Sequence, residues 1–325
     1  MTTPRLDLDL VFGLTVAEDM TGYMDFARRA VELGYRRLWF PETYRLDPVS
    51  FAGWAAASFP GHPLGIGPVP AVLRTGPQLA MIAATLAGMG STDLEAIVGA
   101  SSRAMTEGWH NRGFLSVAAM ESLLDAVHAA CSGERTAIDA GRFRTSGFTN
   151  GLGPVHLPVG MASFGPKMLR LAGRRADRVA LNMVSPKAVP AFLAEIDEGA
   201  RAAGRPRPPV SIWAHLCLDP DEAAFDAGRR FVSGYVRVSG YDRNFAAQGF
   251  GAVVDAARAA PSTRDVRALI PDELLVEALG FGSLADIAAR LDAYRELGVD
   301  VALVPNTSTD PGGVRTLAAI ASLGG

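Results

Sequence analysis

Three short stretches concentrate the residues that could do chemistry. Pro41-Glu42-Thr43-Tyr44-Arg45 sets an acid, a hydroxyl, a phenol and a base side by side. Ser101–Asn111 (SSRAMTEGWHN) supplies Glu107, Trp109 and His110. A carboxylate beside an aromatic ring loses water, which raises its pKa and suits it to general-acid work. Met161–Lys167 (MASFGPK) reads as the opening of a helix, with Pro166 at the first helical position. Backbone N–H groups near Phe164 and Gly165, the Ser163 hydroxyl and the Lys167 ammonium could there converge on a phosphate. Each stretch also has a plainer reading. Glu107 could be a surface ion pair or a helix cap, and His215, alone in an apolar run, is more readily a satisfied core histidine than a catalyst.

Several chemistries are absent. The chain has no Walker loop, no HExxH and no GxSxG, which removes phosphoryl transfer, zinc proteolysis and the common serine-hydrolase elbow. The G-x-G pairs in GIGPVP and GLGPVH lack a third glycine and run into proline where a dinucleotide-binding helix would begin. A Schiff-base barrel lyase is disfavoured because neither Lys167 nor Lys187 falls inside an expected strand. Cys131 and Cys217 stand too far apart for a disulfide framework and no Cys/His spacing reads as a metal site, so no metal is expected and a reducing, cytoplasmic compartment fits. With 31 Lys and Arg against 34 Asp and Glu, net charge -3, nothing draws the chain to nucleic acid. No apolar run approaches the roughly 20 residues of a membrane span, and Met1–Asp9 lacks the apolar core of a signal peptide.

The elements that must position these residues follow a βαβα pattern. Its 325 residues, 49% hydrophobic and 20% charged, suffice for a large core. Apolar runs rich in Val, Ile and Leu predict strands near Asp7–Gly13, Arg37–Phe40, Leu64–Val69, Ala96–Ala100, Val155–Met161, Arg178–Leu181, Val210–Leu216 and Asp300–Val304. Eight alternating strands argue for one α/β domain over 1–325, a (β/α)8 TIM barrel, whose active site lies at the C-terminal rim. Asp47-Pro48 and Ser185-Pro186 each predict a helix start. Phe114, Val117, Leu124 and Val127 predict one apolar helix face. Gly141–Asn150 reads as a short hairpin, and residues 219–281 as a helical insertion between strands seven and eight, a candidate substrate lid or a packing ornament. Trp54, Trp109 and Phe164 suggest an apolar pocket. Asn182 and His215 fall near the ends of strands six and seven.

Several segments, taken in order, resemble the bacterial luciferase-like superfamily: LGYRRLWFPET, PVSFAGWAAAS, LGIGPVPAVLRTGPQLAMIAATLAGM, GPKMLRLAGRRADRVALNMVSP and GSLADIAARLDAYRELGVDVALVPN. Its coenzyme F420 (deazaflavin)-dependent oxidoreductase branch is the nearer likeness. The resemblance implies a barrel holding a deazaflavin, or alternatively FMN, at the C-terminal rim. Thr43, then Gly67, Pro68 and Val69, then Ser163, Phe164, Gly165, Pro166 and Lys167, and finally Asn182 would bind it. The family's bulge with a cis peptide after strand three falls, when aligned on Arg74, at Gly67–Pro68. Two positions depart from the pattern: Ala176-Asp177-Arg178 replaces Ala-Asp-Gly, and Glu42-Thr43 replaces the common Asp-His or His-His. Thr43 has no suitable pKa for proton delivery, which moves that role to Glu107, favoured, or to Tyr44 or Glu42.

The implied activity is hydride transfer from deazaflavin C5 to an activated double bond, carbonyl or imine of a small-molecule or peptide substrate. Natural-product tailoring, such as reduction of dehydroamino acids, is one form of it. An FMN-dependent monooxygenase and a non-catalytic cofactor-binding barrel are the alternatives, and a homodimer is expected.

Overall fold

A computed structural model describes residues 6–13, 17, 19–139 and 141–323. All eight expected strands form: β1 (Asp9–Val11), β2 (Leu38–Phe40), β3 (Leu64–Pro70), β4 (Leu94–Gly99), β5 (Val159–Ala162), β6 (Val179–Asn182), β7 (Val210–Leu218) and β8 (Asp300–Pro305). Strand β5 starts later than its apolar run, because the Val155 N–H is spent on the Cys131 carbonyl at 3.0 Å and Pro158 has no N–H to give a ladder. The chain packs as two compact units, each built from separate segments.

The first unit comprises residues 37–180 and 195–209. Strands β2, β3, β4 and β5 lie parallel in that order, with Phe40 opposite Ile66, Pro70 opposite Gly99, and Gly99 opposite Ala162. Their C-terminal ends therefore share one edge, where the three candidate stretches emerge. The strands are near-continuously apolar and buried, as parallel strands covered on both faces must be; Leu38, Trp39, Phe40, Ile97 and Val98 have no exposed surface. At the other end of these strands Arg37 pairs with Asp93 (2.8 Å) and Glu95 (2.9 Å), and Arg178 with Glu95 (2.8 Å).

Helices α2 (Pro48–Ser58), α3 (Gly76–Gly88), α4 (Val117–Cys131) and α5 (Pro166–Arg175) belong to this unit. Asp47 caps α2 as its sequence predicts, its Oδ1 accepting from the Ser50 N–H at 2.7 Å. In α4, Leu124 and Val127 are buried, but Phe114 precedes the helix and is exposed. The hairpin forms upstream of its expected position, Ala137–Ile138 pairing antiparallel with Thr145–Ser146. Trp54 serves packing within α2, stacked on Phe51 (5.1 Å between centroids) and edge-on to Phe59.

The second unit comprises residues 6–36, 181–194 and 210–323 among those described. Strand β8 lies parallel between β1 and β7. Helix α1 (Met20–Glu32) exposes Arg28 and Glu32, with Arg29 half-buried. The unit also contains the start of α6 (Val189–Ala202), which begins later than Ser185-Pro186 predicts, because a turn over 186–188 intervenes.

The insertion is helical, running through α7 (Glu222–Ser233), α8 (Tyr241–Phe245), α9 (Gly251–Ala259), α10 (Thr263–Ala268) and α11 (Asp272–Leu274) to a short strand, Phe281–Gly282, beside the end of β7. Val232, Phe245, Val254, Val266, Leu274 and Phe281 give it a core that includes Cys217. Helices α12 (Leu284–Glu296) and α13 (Val314–Ala321) complete the chain. Both cysteines are buried and free. No helix among the described residues is long and apolar enough to cross a membrane.

Candidate active site

Glu42 leaves the end of β2 and is held at two points, one at the end of β3 and one in the segment that follows it. Its backbone N–H donates to the Pro68 carbonyl at 3.3 Å, and its Oε2 accepts from Arg74 Nη2 at 2.5 Å. Both side chains are largely buried, 13% exposed for Glu42 and 11% for Arg74. Burial pushes the Glu42 carboxyl above the ordinary carboxylate range. Arg74 pulls it down, Asp47 adds to the rise and His110 opposes it. A carboxyl pKa shifted upward moves in the direction that general-acid work requires.

Strand β3 carries the bulge and the cis Gly67–Pro68 bond implied by the resemblance, its register against β4 shifting between Ile66 and Val69. Gly67 has φ +118°, a region L side chains rarely occupy, and a β-carbon there would lie 2.2 Å from the Ile97 carbonyl oxygen. Pro68 and Val69 thus reach the rim on a backbone that only glycine permits.

The neighbouring candidates look different in the structure. Thr43 Oγ1 accepts from the N–H groups of Arg45 (3.1 Å) and Leu46 (3.2 Å), so its hydroxyl shapes the loop. Tyr44 is 70% exposed. Glu107 sits in a wide helical turn, Ala104–Trp109, paired with Arg103 four residues earlier and 44% exposed. Trp109 is itself 58% exposed. The expected water-excluded acid at Glu107 is therefore a surface ion pair, and the buried acid of this rim is Glu42. An (i, i+4) Arg–Glu spacing explains the difference: the partner sits on the same helical face as Glu107, in solvent.

The loop after β5 runs into α5 as the sequence predicts. Gly165 is the N-cap, Pro166 opens the helix, and no side chain caps it. Its first-turn N–H groups are not claimed by a capping side chain, which suits an anion. Ser163, Phe164 and Gly165 are half-buried, and Pro166 and Lys167 exposed.

In the second unit, Asn182 bridges two rings. Its Nδ2 donates to the Tyr241 hydroxyl and its Oδ1 meets His215 Nε2, both at 2.8 Å. The His215 ring packs 5.0 Å from Phe231, followed by Tyr235 and Tyr241 at 4.9 and 4.8 Å. Burial drives the His215 pKa down to about 3, so the imidazole is neutral. The plainer reading of His215, a satisfied histidine, holds. Asn182 has both amide atoms committed inside the protein.

Arg74 and Tyr241 were missed as site residues by residue-level reading. For Arg74 the signal was its place: a lone base directly after a rim strand, between the apolar run Val69–Leu73 and the Thr75-Gly76-Pro77 helix start. Tyr241 offered none, since its partner Asn182 lies 59 positions away.

A parallel α/β sheet with its acid, bulge and anion-suited helix start on one edge defines the class of barrel that works at its C-terminal rim. Residues 11–301 match the luciferase-like monooxygenase family, and the chain belongs to it. The chain is 25% identical, over 97% of its length and 99% of the relative's, to a Mycobacterium tuberculosis protein named as a coenzyme F420-dependent oxidoreductase. It is 29% identical to the 5,10-methylenetetrahydromethanopterin reductase of Methanolobus tindarius, over a stretch spanning 34% of this chain and about a third (35%) of that enzyme. The solved coenzyme F420-dependent tetrahydromethanopterin reductase of Methanopyrus kandleri superposes with a TM-score of 0.81 at 17% identity, covering 98% of each chain. That likeness shows the fold: α/β, a closed barrel of eight parallel strands with the luciferase-like architecture.

Proposed function

We propose that this chain is a coenzyme F420-dependent oxidoreductase that reduces an activated double bond, carbonyl or imine. The observation that carries the reading is Glu42, a buried carboxyl at the rim, beside a strand bulge that excludes a β-carbon. Family membership and a full-length relative bearing that cofactor in its name support it.

The residues present fit such a group. Of the bulge residues Pro68 alone is half-exposed, and a planar ring system would rest against it; the uncapped start of α5 offers N–H groups, with Ser163 and Lys167 beside them, for a phosphate. When bound, reduced deazaflavin supplies a hydride at C5. Glu42 would hold the proton that completes the reduction, at the atom next to the hydride-accepting carbon. Arg74 and the Pro68 carbonyl fix its position. Thr43, its hydroxyl oxygen engaged with its own loop, would line the site. The helices of residues 219–281 would act as a substrate lid, and the substrate class includes small molecules and modified peptides carrying dehydroamino acids.

The test is a fluorescence titration of the purified protein with F420 and with FMN. Saturable binding of F420 at micromolar concentration, with FMN much weaker, is expected. Tight FMN binding without F420 binding would replace the reading with a flavin monooxygenase. Size-exclusion chromatography with light scattering checks the expected homodimer.

A further inference from the structure

We propose that Arg74 is a positioning residue for Glu42: its guanidinium ties down one carboxyl oxygen, Oε2, and so presents the other, Oε1, as the proton-handling oxygen of the rim. The inference rests on the reading of Glu42 as the proton donor.

Arg74 is built to stay where it is. A single 3-10 turn, Ala71–Leu73, precedes it, and its backbone N–H donates to the Ala71 carbonyl at 3.3 Å. Immediately after it Thr75 caps α3, its Oγ1 accepting from the Gln78 N–H at 3.3 Å. The guanidinium is committed too, Nη1 to the Leu73 carbonyl at 3.2 Å and Nη2 to Glu42, while Nε is buried with no partner among the described residues. A dehydrated guanidinium, more than four-fifths of its surface covered, interacts strongly with the one carboxylate beside it.

Glu42 is held just as asymmetrically. Its backbone is bonded to Pro68 and its Oε2 to Arg74, so both anchors come from the segment 68–74, and Oε1 takes no hydrogen bond from any described residue. A carboxyl with one oxygen locked and one open delivers its proton from a defined atom, whereas an untethered one rotates between two. The charged and titratable groups that face it are Arg74 after β3, Asp47 at the start of α2 and His110 after the turn that follows β4. Of these, Arg74 makes the direct contact. Removing it leaves the carboxyl buried without a partner in contact, and such a group keeps its proton to higher pH.

The test uses protein labelled with glutamate carrying ¹³C at the side-chain carboxyl. The Glu42 signal is assigned by its loss in Glu42→Gln, and its titration is followed by NMR in wild type, Arg74→Lys and Arg74→Met. Arg74→Met is expected to move the Glu42 titration up by about one pH unit or more, a tenfold change in proton affinity, with Arg74→Lys recovering most of it. If Arg74→Met does not fold by circular dichroism, Arg74→Gln takes its place. With 2-cyclohexenone as probe, the pH profile of F420H2 oxidation is expected to move in the same direction. An unmoved Glu42 titration in a folded neutral variant, or Arg74→Lys no nearer to wild type than that variant, overturns the proposal. Failure of wild type to bind F420 would instead overturn the cofactor reading, and the carboxyl titration stays interpretable on its own.

Discussion

A β-carbon on Gly67 would stand 2.2 Å from the carbonyl oxygen of Ile97, on the neighbouring strand β4. Backbone cannot retreat as a flexible side chain can, so Gly67→Ala must distort the bulge that places Pro68 and Val69. Overpacking of this kind costs about 1–3 kcal/mol. Gly61 also has positive φ, +80°, but a β-carbon there would meet nothing within 4 Å, so Gly61→Ala should lose only the conformational penalty, about 1–2 kcal/mol, whereas Gly67→Ala, at φ +118°, carries a conformational penalty and the clash together. Urea unfolding of the two variants checks the order; equal losses would mean that the Ile97 carbonyl yields.

The start of α5 gives a second prediction. With Gly165 as N-cap and no side-chain cap, the first-turn N–H groups can meet an anion. Ser163→Ala should weaken F420 binding by about 1.5–3 kcal/mol, the scale of one hydrogen bond to a charged group. Gly165→Asp should weaken it more, since a carboxylate at the N-cap competes for those same N–H groups while stabilising the helix. A cofactor affinity that survives Gly165→Asp while the helix gains stability would place the phosphate elsewhere.

What the sequence revealed and what it concealed have one physical origin. Strands were legible because burial on both faces leaves continuous apolar runs such as Leu38-Trp39-Phe40, and the Asp47-Pro48 cap because its bonds span only three residues. The Ser185-Pro186 pair shows the limit of that logic: the same dipeptide also opens a turn, and only the backbone decides between them. The resemblance favours Glu107 by its Glu107-Gly108 setting and Trp109 beside it adds a local argument, but proximity in sequence does not set which way a ring faces. Glu42 owes its environment to Arg74, 32 positions on, and to a bulge whose register no local pattern encodes. The Asn182, His215 and Tyr241 cluster was hidden for the same reason.

His215 gives a pH prediction. Its pKa falls from about 6.5 in the unfolded chain to about 3 in the folded protein, because burial disfavours the imidazolium. Between those values the unfolded state binds more protons, so the stability His215 contributes is complete above pH 6.5 and declines as pH falls, by up to about 1.4 kcal/mol for each unit. His215→Gln keeps a partner for Asn182 without the titration. Urea unfolding at pH 7, 6 and 5 should show wild type losing more stability than His215→Gln, and parallel losses would show that the histidine is protonated in the fold.

Glu42 and Glu107 make the sharpest comparison, because both are carboxylates paired with an arginine and only one is buried. Glu42 is 13% exposed and Glu107 44% exposed. A proton donor must reach the reacting atom without competition from water. Burial raises the Glu42 pKa and supports that role, whereas an exposed (i, i+4) pair such as Arg103 with Glu107 contributes only about 0.3–0.5 kcal/mol even to stability. Glu42→Gln preserves shape and hydrogen bonding, so it should bind reduced F420 normally yet transfer hydride to 2-cyclohexenone at least about 10²-fold more slowly, the usual scale of positioned acid catalysis. Glu107→Gln should remain close to wild type. Stopped-flow oxidation of F420H2 measures both, and the reverse pattern would return the proton to Glu107 and require the 104–109 turn to close over the site when substrate binds.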